Sequence, residues 1–240
     1  MKAIVAASVM SALAGTAMAQ STGDWDVTAQ VYLWGSGVSG TTATGQSVDI
    51  DFSDVLDRLD FAFMGSLVAQ RGQLFTFADI IHLKVSEGKN AAVGPGIPVV
   101  ADARIRGTIF TAGVGYDTAL EEGARLAPFG GTRALRLHTT ANLGIGGGSL
   151  RVESKDTYWD AIVGVAGYTQ LSDDWGLSYY ADVGAGESDL TWQAVITFDR
   201  QFDGWTLSFG YRHMAWEFPM GSTLADVSFS GPLIGARFRF

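Results

Sequence analysis

Apolar and polar residues alternate along most of this chain, and a period of two predicts β-strands rather than helices. The clearest example is 205–212, where the odd positions hold Trp, Leu, Phe and Tyr and the even positions hold Thr, Ser, Gly and Arg. The same alternation recurs at 177–184 and 190–199, where the second face is largely polar or small. We therefore expect a protein built from strands that each have one apolar face.

Ten segments carry this pattern, and each has at least the 9–11 residues that a tilted strand needs to cross a membrane. They are 25–35, 60–71, 73–86, 104–119, 133–147, 157–171, 175–187, 189–202, 204–216 and 226–240. Eight strands is the main alternative, because the first three segments are the least regular. Both faces of 73–86, for example, are apolar apart from Asp79, His82 and Lys84.

The last segment favours a membrane barrel over a soluble sheet. In 235–240, small or aromatic residues alternate with Arg237 and Arg239, which suits a strand between lipid and a polar lumen. Phe238 and Phe240 are the expected assembly signal for insertion into the outer membrane. An even number of strands returns both chain ends to the periplasmic side. The predicted fold class is thus all-β, an antiparallel up-and-down transmembrane β-barrel of ten strands.

The connections alternate in length, as expected for short periplasmic turns and longer outer loops. Short turns are predicted at 71–73, 172–174 and 203–204, and longer stretches at 36–59, 88–103, 148–156 and 217–225. Two connections depart from the rule, since 120–132 is long and 186–188 is short. The first outer loop should contain a short helix at 54–59, capped by Ser53.

The first residues read as a signal peptide. Lys2 is followed by an apolar stretch and by the small residues of a cleavage site at 17–19, which predicts a signal peptide at 1–19 and a barrel at 20–240. Without Lys2 the chain has 15 basic and 25 acidic side chains, a balance that argues against nucleic acid as a partner. The chain has no cysteine, so disulfides and thiolate metal sites are excluded.

Charged residues on the predicted lumen face form a candidate site. A charge inside a narrow barrel has to be paired or hydrated, so these residues predict either a ladder of ion pairs that fills the lumen or the lining of a pore. At ten strands the filled lumen is favoured over an aqueous channel. The predicted ladder consists of Arg136, His138, Asp160, Asp182, Asp199, Arg212, Arg237 and Arg239.

Tryptophans near the ends of the segments predict aromatic girdles at the two levels of lipid headgroups. The predicted girdle consists of Trp25, Trp159, Trp175, Trp192 and Trp205. The competing interpretation is ordinary burial in a core.

The sequence offers little for catalysis or cofactor binding. His138 has no second histidine at ligand spacing, which disfavours a metal site. His82 and His213 fall on the outward face, and no local signature of a protease, phospholipase or deacylase accompanies them. The glycine clusters at 144–148 and 184–186 open no helix after a strand, so no nucleotide site is expected. We predict neither cofactor nor metal, and no enzymatic activity.

Several motifs resemble a family of small, mostly uncharacterised proteobacterial outer-membrane β-barrel proteins. They are Tyr-Leu-Trp at 32–34, Phe-Ser-Asp-Val-Leu at 52–56, and the stretches 158–164, 182–193, 210–212 and 230–235. The resemblance implies the barrel fold, similar in architecture to OmpA-type and opacity-type barrels, and an address in the cell outer membrane of a Gram-negative bacterium. It implies no substrate and no catalytic residues.

These observations predict an integral outer-membrane barrel that is structural or a narrow, porin-like solute pore with a largely filled, charged lumen. The alternatives are a lipid-modifying or proteolytic outer-membrane enzyme and a soluble periplasmic ligand-binding barrel. The expected partners are outer-membrane lipid and lipopolysaccharide, with the barrel-assembly machinery and periplasmic chaperones during biogenesis.

Overall fold

A computed structural model of the chain describes residues 25–42, 44–93, 97–121, 123–145, 148–222 and 224–240. The predicted signal peptide at 1–19 lies outside these residues. The elements are β1 Asp26–Trp34, β2 Gly37–Thr42, β3 Ser47–Ile50, α1 Phe52–Asp57, β4 Leu59–Arg71, β5 Leu74–Val93, β6 Ile97–Tyr116, β7 Thr118–Glu121, β8 Ala124–Ile145, β9 Gly148–Gln170, β10 Trp175–Gly186, β11 Leu190–Phe202, β12 Trp205–Glu217 and β13 Leu224–Arg239.

Ten of these strands form a closed antiparallel barrel, which confirms the predicted fold class and strand number. Each strand pairs with its neighbours in the order β1-β4-β5-β6-β8-β9-β10-β11-β12-β13. Closure comes from β1 and β13, which run in register from Thr28 opposite Arg239 to Trp34 opposite Leu233. Because the sheet closes on itself, its backbone groups are satisfied without an exposed edge in the closed part.

Both ends of the described chain lie at one end of the barrel, together with the tight turns. Gly72 and Gly204 occupy these turns with φ of 61° and 83°, a left-handed conformation that favours glycine. By the usual asymmetry of such barrels, this is the periplasmic end and the longer hairpins face outward. The connection at 187–189 is short, as the sequence indicated.

Two hairpins are longer than expected. β9 has 23 residues and β8 has 22, compared with 13 in β11 and β12. The stretches 88–103 and 148–156 were expected to be loops, but β5, β6 and β9 continue through most of them. The connection at 120–132 is likewise mostly strand, because β8 begins at Ala124 and pairs with the short β7.

The first outer loop folds as a hairpin and a short helix. β2 pairs with the outer part of β13 and with β3, so the loop extends the barrel wall. The helix α1 is confirmed but begins at Phe52, and its N-cap is Asp51 rather than Ser53. None of its residues is buried, so the helix does not plug the lumen.

The strands β10 to β13 present their apolar faces outward, as the alternation predicted. Phe209 and Ile196 are 40% and 47% exposed on the exterior, whereas Arg212 and Asp182 are 4% and 6% exposed in the lumen. The charged side chains of these strands therefore point inward and the large apolar ones point outward.

Candidate functional site

The side chains in the lumen form three layers. Near the periplasmic end, Phe75, Phe77, Phe129 and Tyr180 form an aromatic layer, in which the rings of Phe129 and Tyr180 stack at 5.0 Å between centroids. A charged layer occupies the middle. Above it lies an apolar layer, here called the outer plug, made of Trp34, Met64, Ile81, Ile109, Leu135, Met214, Trp216, Phe218, Val227 and Leu233.

Two buried ion pairs cross the charged layer. The Arg133 guanidinium donates from Nη2 to Asp182 Oδ2 and from Nη1 to Thr191 Oγ1 at 3.0 Å. Both charged side chains of this pair are fully buried. Because an unpaired charge here would be very unfavourable, each member of the pair holds the other in place.

The second pair is part of a larger network around Arg212. Its Nη2 donates to Asp79 Oδ1 at 3.0 Å and to Gln193 Oε1 at 2.8 Å, and its Nη1 donates to Tyr32 Oη at 2.8 Å. Tyr32 Oη in turn donates to Asp79 Oδ2 at 2.6 Å. The guanidinium also lies 5.0 Å from the ring of Trp34, so it joins the charged layer to the outer plug.

A third group of charges lies towards the periplasmic mouth. Asp199 is buried and accepts hydrogen bonds from Ser178 Oγ and from Arg237 Nη1, the latter at 3.4 Å. Arg239 is on the same face of β13 but lies at the edge of the mouth, where it pairs with Asp26 at 2.9 Å and remains 72% exposed. The solvent exposure of the charged side chains thus increases towards the periplasm.

Between the charged layer and the periplasmic mouth the lumen contains a cavity of about 290 Å³. Its lining combines aromatic rings, such as Phe77 and Tyr180, with the polar groups of Asp79, Arg212 and Arg237. The outer plug closes it on the opposite side. A cavity of this kind can hold water or a small solute.

The prediction was wrong for Arg136 and His138, which lie on the exterior of β8. Arg136 is exposed, and His138 Nε2 lies 2.9 Å from Glu153 Oε1 on the outer surface. Leu135, only 1% exposed, takes the inward position beside them. The reason is that the outer part of the long hairpin β8–β9 extends beyond the apolar exterior of the barrel. Water rather than hydrocarbon surrounds it there, so its polar face points outward.

The alternation pattern does not identify Arg133 and Asp79 as lumen residues. Arg133 stands at the first position of its predicted segment, so the face of β8 follows from the residues beyond it. Asp79 is an exception in a segment whose two faces are both apolar, so alternation does not place it. Its position two residues from Phe77 and from Ile81, both inward, is the signal that would have found it.

Asp160 is buried on the inner face of β9, but its role differs from that of the predicted ion-pair partner. It is 1% exposed, and its Oδ1 accepts a hydrogen bond from the Ser188 backbone N–H at 2.9 Å. Ser188 lies in the tight connection between β10 and β11. Asp160 therefore fixes a turn at the outer end rather than lining a solute path.

The predicted girdle tryptophans lie outside the lumen, at two levels. Trp159 and Trp192 are 49% and 39% exposed towards the outer end, and Trp205 is 37% exposed near the periplasmic end, where Trp175 also lies. Trp25 precedes β1 at the same end. Whether they form girdles in lipid stays a prediction.

The predicted assembly signal pairs with the start of the barrel. Phe238 is opposite Ala29 on β1, and the Phe240 backbone N–H donates to the Val27 carbonyl at 2.8 Å. The last residues are thus part of the seam that closes the sheet. Their role as an assembly signal stays a prediction.

The structure also brings together a histidine and a serine that the sequence did not connect. His213 Nδ1 lies 2.6 Å from Ser230 Oγ, across β12 and β13 on the exterior, and the His213 ring is 4.4 Å from the Trp192 ring. The antiparallel register of these strands is the signal that would have revealed the pair.

Within the described chain, no group of three His, Asp or Glu side chains is arranged to hold a metal ion.

At the outer rim, basic residues lie on the exterior of the two long hairpins β5–β6 and β8–β9, here called the tall hairpins. Lys84, Arg106, His138 and Lys155 lie side by side across four strands and are here called the basic row. Glu153 lies next to this row, and hydrogen bonds from Lys155 and His138 hold the pKa of its carboxyl below the ordinary value. Asp60 has a lowered pKa because Ser86, then Lys84, donates to its carboxylate.

The exterior is apolar around the middle of the barrel. Large exposed side chains there include Leu67, Val114, Val163, Val183, Ile196, Phe198, Phe209, Tyr211 and Ile234. A soluble barrel would not present so continuous an apolar surface to water. No helix in the described parts of the chain is long and apolar enough to cross a membrane.

No protein-family model matches the sequence, and no curated protein matches it. Solved structures are similar to the chain at low identity. The chain is similar to the outer membrane protease OmpT from Escherichia coli, with 12% identity, a TM-score of 0.49, and coverage of 91% of this chain and 98% of that chain. It is similar to the translocator domain of the autotransporter NalP from Neisseria meningitidis, with 15% identity, a TM-score of 0.45, and coverage of 92% and 90%.

A third similar structure is the attachment invasion locus protein Ail of Yersinia pestis, with 12% identity, a TM-score of 0.41, and coverage of 90% and 98%. A closed barrel of ten strands with an apolar exterior and buried ion pairs inside defines the class: this chain is a transmembrane β-barrel of the outer membrane. That conclusion rests on the chain's own exterior and closure, and it removes the soluble periplasmic barrel from consideration.

Proposed function

We propose that the protein is a structural outer-membrane barrel whose lumen is sealed against solutes. The outer plug carries this proposal. Met214, Trp216, Leu135 and Ile81 are each at most 1% exposed, so apolar side chains fill the cross-section of the lumen above the charged layer. Such a layer leaves no room for a hydrated ion.

The charged layer supports the same conclusion. Arg133 and Asp182 bind each other, and Arg212 is held by three acceptors, so these charges stabilise the lumen instead of offering free sites to a passing solute. A narrow pore would require the plug to move. The cavity of about 290 Å³ on the periplasmic side is compatible with a vestibule, but not with a through passage while the plug is in place.

The test is a planar-bilayer recording with the purified full-length barrel. A sealed barrel gives no stepwise current, whereas stepwise openings of the unmodified protein would support the pore. The double variant Trp216→Ala and Met214→Ala removes most of the plug's volume on β12 and is expected to conduct. Trp205→Ala removes an equally large ring from the exterior of the same strand and is expected to remain silent.

A second candidate is an enzyme that hydrolyses the ester bonds of acyl chains in membrane lipid, and one observation favours it. Ser230 and His213 are within 2.6 Å on the lipid-facing exterior, so His213 is placed to take the proton of the Ser230 hydroxyl. Against it, no carboxylate among the described residues hydrogen bonds to His213, so nothing orients the ring in the way a catalytic triad requires. We therefore place it second to the structural barrel.

Fatty-acid release from defined lipid vesicles tests the enzyme. The substrates are phosphatidylethanolamine and lipopolysaccharide, incubated with the reconstituted barrel. Activity that is lost in both Ser230→Ala and His213→Ala, and retained in Ser228→Ala on the same face of β13, would support hydrolysis. No release from either lipid would remove this candidate and leave the structural barrel.

A further inference from the structure

The exterior of the tall hairpins changes from apolar to basic over four residues along each strand. Ile80, Phe110, Ala134 and Trp159 lie side by side and end the apolar surface. The next outward-facing residues are His82, Thr108, Arg136 and Thr157, and the basic row follows them. Each step is about 7 Å along a strand. Cations thus begin where the apolar surface stops, with Trp159 at the boundary.

The basic row is part of a wider cationic surface. Lys84, Arg104, Arg106, Arg136, Arg151 and Lys155 make up six of the chain's 16 lysines and arginines, although the chain as a whole has a net charge of −9. The acidic residues Asp189, Glu217 and Asp226 lie at the outer end of the opposite wall, on β11 to β13 and their connections, whereas Glu187 accepts a hydrogen bond from the Trp159 backbone N–H at 2.7 Å. Basic residues therefore predominate on one wall of the rim and acidic residues on the other.

Among the described side chains, few carboxylates pair with this surface. Glu153 forms ion pairs with Lys155 at 2.8 Å and with Arg151 at 3.6 Å, and Asp60 forms one with Lys84 at 3.4 Å. No carboxylate among the described side chains lies within 4 Å of Arg104, Arg106 or Arg136, and all three are exposed.

Like charges face each other directly within the basic row. Lys84 is opposite Arg106 on the neighbouring strand, and such a pair is destabilising when it stands alone. An anion between the strands reverses the sign of that contribution. Neighbouring strands are about 4.8 Å apart, so a single phosphate group can accept hydrogen bonds from two or three of these side chains at once.

We propose that this surface binds the phosphate groups of lipopolysaccharide in the outer leaflet, while the acyl chains lie against the apolar exterior below Trp159. The ligand class follows from the geometry, because the site requires an anion whose charge lies just above hydrocarbon and whose tails enter it. The inference rests on the outer-membrane location and is independent of whether the lumen conducts.

The test measures the affinity of the detergent-solubilised full-length barrel for diphosphorylated lipid A by native mass spectrometry and by fluorescence titration. The double variant Arg106→Gln and Arg136→Gln removes two cations from the surface and is expected to weaken binding about 30-fold. The matched control, Arg125→Gln and Arg200→Gln, removes two arginines at the periplasmic end and is expected to change the affinity less than about two-fold. Equal losses in both double variants would overturn the proposal.

Three further arms identify what is bound. Lipid A without its two phosphates should bind the unmodified barrel about as weakly as diphosphorylated lipid A binds the double variant Arg106→Gln and Arg136→Gln. Unchanged binding would show that acyl contact alone is responsible and would refute the proposal. Inorganic phosphate at the same concentration should not compete, and full competition would mean a site for free anions instead. The double variant Arg106→Lys and Arg136→Lys keeps the charge and should retain most of the affinity, so a loss of fold can be told from a loss of charge. Melting of each variant by circular dichroism accompanies the titrations.

Discussion

Arg212 on β12 reaches across the lumen to Asp79 on β5, and its Nη2 lies 3.0 Å from Asp79 Oδ1. The two residues are 133 positions apart in the chain, so the contact forms only when the sheet has closed. Tyr32, on the strand that seals the barrel against β13, shares both partners. The network therefore joins three separate parts of the wall, and closure and lumen packing depend on each other.

Arg212→Met is expected to lower the free energy of unfolding by about 3–5 kcal/mol, because it leaves the Asp79 carboxylate buried without its cation. The double variant Arg212→Met and Asp79→Leu should recover much of that loss, since no isolated charge remains. Reversible urea unfolding in detergent micelles measures both. Arg239→Met, which removes an exposed partner of Asp26, is the control and should cost about 0–1 kcal/mol. Equal costs for Arg212 and Arg239 would contradict the importance of burial.

Phe209→Lys is expected to destabilise the barrel in lipid by about 2–4 kcal/mol, because Phe209 lies on the exterior near the middle of β12. Glu217→Lys introduces the same ammonium on the same face at the outer end of that strand and should cost about 0–1 kcal/mol. Folding titrations into phosphatidylcholine vesicles give the two values. A larger effect at Glu217 would mean that the depth assigned to the exterior is wrong.

Trp216→Ala is expected to cost about 3–5 kcal/mol of stability, because the ring is 1% exposed within the outer plug. Trp205→Ala, on the exterior of the same strand, should cost less because its ring is 37% exposed. Thermal unfolding followed by gel mobility in unheated and heated samples ranks the variants. If both substitutions cost the same, the plug is not a packed layer.

Lys155→Gln is expected to raise the pKa of Glu153 towards its ordinary value, because the hydrogen bond from Lys155 is the main cause of its lowering. With a lowered pKa, the ionised carboxylate contributes its stabilising contact above the ordinary pKa, and the contact is lost as the pH falls through the lowered pKa. A ¹³C NMR titration of labelled glutamate reports the midpoint. Lys84→Gln, whose partner is Asp60, should leave the Glu153 midpoint where it is.

The sequence predicted the parts of the fold that hydrocarbon imposes. On β10 to β13 both faces are constrained along nearly the whole strand, by lipid outside and by a narrow lumen inside, so the alternation at 205–212 gave the correct orientation. The same rule reversed the orientation at Arg136 and His138, because the outer half of β8 is surrounded by water. A period of two identifies the faces of a strand, but the medium around each face has to be known separately.

Contacts across the lumen could not be predicted in the same way. The partners of Arg212 and Arg133 depend on how ten strands are staggered around the barrel, and alternation within one strand contains no information about that stagger. Residues such as Asp182 and Arg212 were recognisable as inward-facing. Their pairing with Arg133 and Asp79 required the closed sheet.

The change of surface at Trp159 also determines how deeply the protein sits. If the barrel sank by two residues along its strands, Arg136 would enter hydrocarbon; if it rose by the same amount, Ile80 and Phe110 would meet water. Both displacements are unfavourable. The molecule thus has one preferred immersion, and a bilayer of unsuitable thickness has to deform around this wall rather than shift it.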